Sequence, residues 1–266
     1  MTTTNGKNPA QNQTSPNAEA NTPIMPLFYE NPVPLDKHKH ANLSLRSNFG
    51  LDFTAQVNAV PINAIEMPQI CHFYPIAFAP DESATPVAIL GVRDHENLFI
   101  TQDGHWIDQT YIPAYIRRYP FIFSEVTGTD QLTLCVDITD KITENSREQP
   151  FFEESGEPSV LSKNALEFCK SYHAAAEQTI VFSQALAESG ILVEREAQIT
   201  ITNKGRISFA GFRIIDEAKF AELPDQTLLT WRSNGWLPFV YAHLFSSTQW
   251  QRLTRLLNAR IEQEAS

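Results

Sequence analysis

The sequence predicts an α+β fold, with a mostly antiparallel sheet in the N-terminal half, helices in the C-terminal half, and a late hairpin joining the sheet. Three observations carry this expectation. From Met25 to about Val160, apolar residues alternate with polar ones or form short runs closed by Pro, Gly or Asp, as strands and turns do. Beyond Val160 the apolar period changes to steps of three and four, the spacing of one helix face. Between the helical stretches, "QITITNKGRISFAGFRII" returns to period two on either side of a turn. Strands followed by helices, with no βαβ alternation and no Gly-rich turn from strand to helix, argue against a doubly wound nucleotide-binding fold.

The elements follow in chain order. Residues 1–22 are rich in Asn, Thr, Gln, Ala and Pro and hold no large aliphatic side chain after Met1, so a disordered tail is expected there. Residues 23–266 are expected to form a single domain, because the late hairpin adds to the earlier sheet. "FYENPVPLD" is extended and punctuated by proline. "LSLRSNF" and "FTAQVNAVPI" alternate as half-buried strands, and "ICHFYPIAFAP" and "TPVAILGVRD" read as inner strands. "NLFITQDGHWI" has a hairpin signature turning at Gln102-Asp103-Gly104, and "LTLCVDI" is a buried strand after a Gly128-Thr129-Asp130 turn.

Leu161, Ala165, Phe168, Tyr172, Ala175, Thr179, Phe182 and Leu186 then mark one long amphipathic helix, or two with a break, capped by Ser159 or Ser162 and closed by Gly190. In the late hairpin Ile199 and Ile201 precede the "NKG" turn, while Ile207, Phe209, Phe212 and Ile214 follow it. The phase shift at Ala210-Gly211 predicts a bulge. Asp216 opens a helical "DEAKFAEL". Two more helices are expected around 235–245 and 248–262, the second with Trp250, Leu253, Leu256 and Leu257 on one face.

Composition narrows the function. The chain has 266 residues, 42% hydrophobic and 19% charged, which is ordinary globular material able to bury about three quarters of its unfolded surface. Its net charge of −11 repels phosphate backbones, so no nucleic-acid partner is expected. Cys71, Cys135 and Cys169 are odd in number, unpaired in sequence and set among apolar residues, which fits buried thiols in a reducing compartment. No run approaches a membrane span, and the N-terminus has no cationic start followed by an apolar run, so a cytoplasmic protein is expected.

Motifs of chemistry are missing from the text. The seven histidines offer no zincin spacing, and His105 and Asp108 in "GHWID" are wrongly spaced for an iron facial triad. There is no G-x-S-x-G elbow and no phosphate loop. The carboxylates of "FFEESGE" read as solvated, and Asp216 reads as a helix cap. No catalytic residue, metal or cofactor is therefore assigned.

What stands out is "YIPAYIRRYPF", Tyr111 to Phe121. Pro113 suits a first helical position and Pro120 ends the turn, so "PAYIRR" forms a short helix on which Ile112, Ile116 and Tyr119 share a face. Arg117 and Arg118 point about 100° apart and cannot do the same job. One is expected at the surface or in an open groove. The other lies over a tyrosine ring or forks onto a buried carboxylate, Asp108 or Asp137. Two readings stand. The arginines clamp a short helix to the sheet, or Arg117, Arg118, Tyr111, Tyr115, Tyr119 and Trp106 line a site for an anion or peptide carboxylate.

Taken together, "LGVRDHENLF", "DGHWIDQTYIPAYIRRYPF", "FAGFRIIDEAKF" and "GWLPFVYAHLFSSTQWQRL" resemble the bacterial SapC family, the one named for surface-array proteins and distinct from the membrane permease of the same name. The likeness runs from about Met25 to Leu257. It implies an association with the surface layer and a genomic neighbourhood of TonB-dependent receptors, flavin-dependent halogenase-like proteins and cupin-like oxygenases. It brings no catalytic residues. The expectation is a non-catalytic accessory protein that binds a peptide, a protein (receptor- or oxygenase-related) or a small anionic ligand. The alternative is an enzyme acting with those neighbours, its site assembled from His72, His105 or His243 with Asp108 or Asp137.

Overall fold

The computed structural model describes residues 25–125, 132–201 and 205–265. The expected tail at 1–22, the Gly128-Thr129-Asp130 turn and most of the "NKG" turn lie outside the described residues. The late hairpin forms as the alternation requires: Leu192–Ile201 pairs antiparallel with Gly205–Ile215, and the register shifts between Phe209 and Phe212 where the bulge was expected. It joins the earlier strands through Arg213 opposite Phe78.

Numbered in chain order, the described strands are β1 Pro32–Pro34, β2 Ser44–Leu45, β3 Ala59–Pro61, β4 Ile76–Phe78, β5 Pro86–Ile89, β6 Phe121–Glu125, β7 Leu132–Asp137, β8 Thr143–Glu144 and the hairpin strands β9 and β10. The order β3-β5-β4-β10-β9 makes a five-stranded antiparallel sheet, β1-β7-β6 a three-stranded one, and β2-β8 a two-stranded ribbon. The helices are α1 Met67–Ile70, α2 Ala114–Arg118, α3 Val160–Glu188, α4 Glu217–Ala221, α5 Asp225–Ser233, α6 Leu237–Ser246 and α7 Gln249–Glu264. Sheets first and longer helices later confirm the α+β class.

Several expectations are sharpened. The long helix α3 is unbroken over 29 residues, and the Ser159 hydroxyl caps it by accepting from Ser162 N. Asp216 caps α4, accepting from Ala218 N and Lys219 N at 3.1 Å each. The stripe on α7 buries Leu253 and Leu257 completely. All three cysteines are buried and free.

Other expectations are corrected. "LSLRSNF" and "FTAQVNAVPI" give only two- and three-residue strands, because Asp52–Thr54 turns as a 3-10 helix closed by Thr54 Oγ1 donating to Leu51 O at 2.7 Å. "NLFITQDGHWI" turns as foreseen but holds one isolated bridge, Ile100 to Trp106, rather than two strands. Helix α5 was not foreseen; Trp231 is its one buried residue, too little for a visible stripe. Pro113 stands at the N-cap of α2 with ψ 142, one place before the helix.

Apolar residues gather in two clusters. The larger joins the five-stranded sheet to α6, α7 and the C-terminal half of α3 through Phe182 and Leu186. The smaller joins the three-stranded sheet to the N-terminal part of α3 through Cys169, with Tyr29, Tyr119, Phe121 and Phe151. Ile116 and Tyr119, expected to share one face, enter different clusters. Helix α2 therefore sits at the seam, and the arginine pair sits with it.

Candidate functional site

A buried carboxylate anchors α2. Glu66 Oε1 accepts from Ala114 N at 2.7 Å and from the Tyr111 hydroxyl at 2.9 Å, and Oε2 accepts from Asn63 N at 3.0 Å. One charge thus satisfies the start of α2 and closes the capping box of residues 63–66. Arg117 completes the chain. Its Nε donates to Ile112 O at 3.0 Å and its Nη2 to the Tyr111 hydroxyl at 2.9 Å, while its guanidinium lies over the rings of Tyr111 and Phe168. Burial and the Glu66 charge push the Tyr111 phenol up to about 12, with Arg117 pulling it down.

Arg118 takes the other expected role, over tyrosine. Its guanidinium carbon lies 4.3 Å from the ring centre of Tyr172, 4.8 Å from Tyr115 and 5.7 Å from Tyr29. The carboxylate fork does not form. No ion pair between Arg118 and a carboxylate is present among the described residues, Asp108 is exposed, and Asp137 is engaged elsewhere. The reason is geometric: at the C-terminus of α2 the side chain turns towards α3 and the Tyr29 turn, where three rings supply the negative π faces. Its Nε is buried without a hydrogen-bond partner. Burial raises the phenols of Tyr29, Tyr115 and Tyr172, and the Arg118 charge opposes that rise in each. Replacing Arg118 by Lys keeps the charge but loses the planar stack, so a loss of about 1–2 kcal/mol in urea unfolding is expected. An unchanged midpoint would show the cage to be inert.

Tyr119 faces a different way. Its hydroxyl donates to Asp137 Oδ2 at 2.9 Å, and Asp137 Oδ1 accepts from Asn31 N at 2.5 Å and Glu30 N at 3.2 Å. Burial first, then the Asp137 carboxylate, holds the Tyr119 phenol well above its ordinary range. The ring packs under Phe53 at 4.4 Å between centres, and Phe53 lies parallel to Phe49, 5.8 Å away with 6° between planes. Phe28 meets Phe53 edge-on at 4.9 Å.

These rings floor a cleft of about 830 Å³ whose rim carries Glu30, Arg46, Asp52, Asp140 and Lys141. Phe28 has φ 81 in a turn closed by Tyr29 N donating to Pro26 O at 3.1 Å, a backbone position that normally asks for glycine. The strain holds an aromatic ring in the floor of the cleft, the kind of place where strain accompanies function.

Of the six sequence-singled residues, only Tyr119 lines this cleft. Trp106 belongs to the larger core, where its Nε1 donates to the Tyr74 hydroxyl at 3.1 Å and its ring stacks on Phe99. Tyr115 donates to Leu27 O at 3.2 Å. The residues named for an enzyme site are not assembled. His72 and His105 are exposed, His243 is buried against Phe78 and Ile215, and Asp137 is bound by Tyr119. No group of three His, Cys, Asp or Glu among the described residues could hold a metal. No helix among them is long and apolar enough to cross a membrane.

Sequence reasoning missed Glu66, Phe28, Phe49, Phe53, Tyr29 and the role of Tyr172. Glu66 had a signal, the Asn63-x-x-Glu66 spacing of a capping box. The phenylalanines had none, because the cleft gathers Phe28 from one loop and Phe49 and Phe53 from another.

An α+β chain with two hydrophobic clusters, a buried carboxylate hub and an aromatic-floored cleft defines a class without declaring a reaction. A family model described as SapC matches residues 35–253, and the chain belongs to the SapC family. The matched span includes Phe49, Phe53, Tyr119 and Asp137 but stops short of Phe28 and Glu30. No curated protein and no solved structure matches the chain.

Proposed function

We propose that this SapC-family chain is a non-catalytic, cytoplasmic accessory protein that binds a segment of a protein or peptide partner, with residues 23–266 acting as one domain. The observation that carries this reading is the cleft of about 830 Å³ over Tyr119, floored by Phe28, Phe49 and Phe53. Its volume is in the range of ligand pockets, and clustered aromatic side chains are the usual anchors of recognition. Support for one domain comes from α3, which contributes to both clusters and so couples them. The small-anion alternative has less behind it. Arg118 is enclosed by tyrosines, and Arg117 already donates to Ile112 O and the Tyr111 hydroxyl.

The family resemblance points to partners among receptor- or oxygenase-related proteins and to surface-layer biology. The test is calorimetric titration of the purified protein with segments of TonB-dependent receptors and of oxygenase- and halogenase-like proteins, the classes that the family resemblance implies. Binding that Phe49→Ala weakens roughly tenfold or more, while Arg117→Ala affects stability alone, supports the cleft. Binding that ignores Phe49→Ala but disappears with Arg117→Ala or Arg118→Ala would move the site to the arginine pair and overturn this reading.

A further inference from the structure

The chemistry of the cleft is specific enough to name what enters it. Its floor is π surface: Phe49 and Phe53 lie parallel, Phe28 stands edge-on to Phe53, and Tyr119 supports them from below. The Tyr119 hydroxyl is committed to Asp137, so Tyr119 contributes its ring rather than a hydrogen bond. The rim holds three carboxylates, those of Glu30, Asp52 and Asp140, against two cations. Arg46 is one of the two, and it already pairs with Glu144 at 3.2 Å and donates to Asp140 O at 2.7 Å, which leaves Lys141 as the other rim cation. Asp52 Oδ1 lies close against Gly104, where an added Cβ would overlap it. The rest of the chain adds a field of the same sign, with a net charge of −11.

Stacked aromatic faces under a carboxylate rim are complementary to a cation, and arginine fits best because its flat guanidinium stacks as well as attracts. We infer that the cleft takes the arginine side chain of a partner segment, its guanidinium laid on the Phe49–Phe53 floor and its charge met by Glu30, Asp52 and Asp140. The inference rests on the reading of this cleft as the binding site, and it replaces an anionic ligand with a cationic one.

The test uses two blocked peptides, identical except that a central arginine flanked by leucines is replaced in one by citrulline, its neutral isostere. Titration of the full chain is followed by NMR or calorimetry. The arginine peptide is expected to bind roughly tenfold more tightly than the citrulline peptide, with the gap narrowing in high salt. Glu30→Gln and Asp140→Asn, both at exposed side chains, should shrink the gap by weakening the arginine peptide alone, and Phe49→Leu should weaken both. Equal binding of the two peptides, still weakened by Phe49→Leu, overturns the cation inference and leaves the binding cleft standing. Binding unaffected by Phe49→Leu, or no saturable binding of the arginine peptide at millimolar concentration, overturns the inference and counts against the cleft itself.

Discussion

Asp137→Ala is expected to destabilise the protein by about 3–5 kcal/mol. The carboxylate is fully buried at the end of β7 and accepts from three donors, Glu30 N, Asn31 N and the Tyr119 hydroxyl, with Glu30 N shared between its two oxygens. Alanine leaves the buried Tyr119 hydroxyl without its acceptor and takes from the part-buried Glu30 and Asn31 amides the carboxylate that holds them. It also releases two structures at once, because Asn31 and Asp137 are 106 residues apart and this contact fastens the 28–31 segment to the sheet. Asp137→Asn should be milder, about 1–2 kcal/mol. Its oxygen can still take the two backbone donors while its amide turns to the Tyr119 hydroxyl as acceptor.

The measurement is urea unfolding of both variants, joined to hydrogen exchange across residues 28–31. A loss under about 1 kcal/mol for the alanine variant, or unchanged protection of Asn31, would show that the carboxylate does not hold the segment. Because Phe28 and Glu30 both line the cleft, the same variant should also abolish peptide binding. Glu30→Gln should not unfold the segment, since only the Glu30 backbone contacts Asp137.

The parts of this structure that could be read from the sequence are those fixed by neighbours in the chain. The β9–β10 hairpin, its bulge, the α7 stripe and the Ser159 and Asp216 caps all depend on residues within a turn or two of each other. The strands before Val160 were harder to read. Side chains at Leu51, Phe53 and Val57 pack against the core from a 3-10 turn and its flanks as well as they would from a strand, so alternation alone misled.

The arginine pair shows the same divide. Their divergence followed from the helical repeat. Their partners did not, because Arg118 meets Tyr29 and Tyr172 from opposite parts of the chain, and neither is in the motif. A cleft built from loops at 28–30, 46–56, 119 and 139–142 leaves no periodic trace at all. Most of this diagnostic stretch is engaged with Glu66, Asp137 and tyrosine rings, and the cleft lies beside it.

Acid should weaken the protein through His243 over a defined range. The imidazole is buried on α6 beside Phe78, and its Nε2 accepts from Ile215 N at 3.0 Å, which fixes the neutral ring in the folded state. Burial lowers its pKa from 6.5 to about 4. The unfolded chain takes up the proton near the ordinary value and the folded chain resists it, so between those values the unfolded state binds more protons. Stability from this group is thus complete above about pH 6.5 and is lost as pH falls through the folded value, by about 3 kcal/mol in all.

Most of that loss, about 2 kcal/mol, should be present on going from about pH 7.5 to about pH 5. His243→Gln retains an acceptor for Ile215 N but cannot titrate. Its unfolding free energy should fall less than that of the parent over the same range, by the same 2 kcal/mol or so. Carboxylates elsewhere respond equally in both proteins and cancel in the difference. Parallel pH profiles for the two proteins would mean that His243 is charged or hydrated in the folded state, and would remove it from the buried core described for α6.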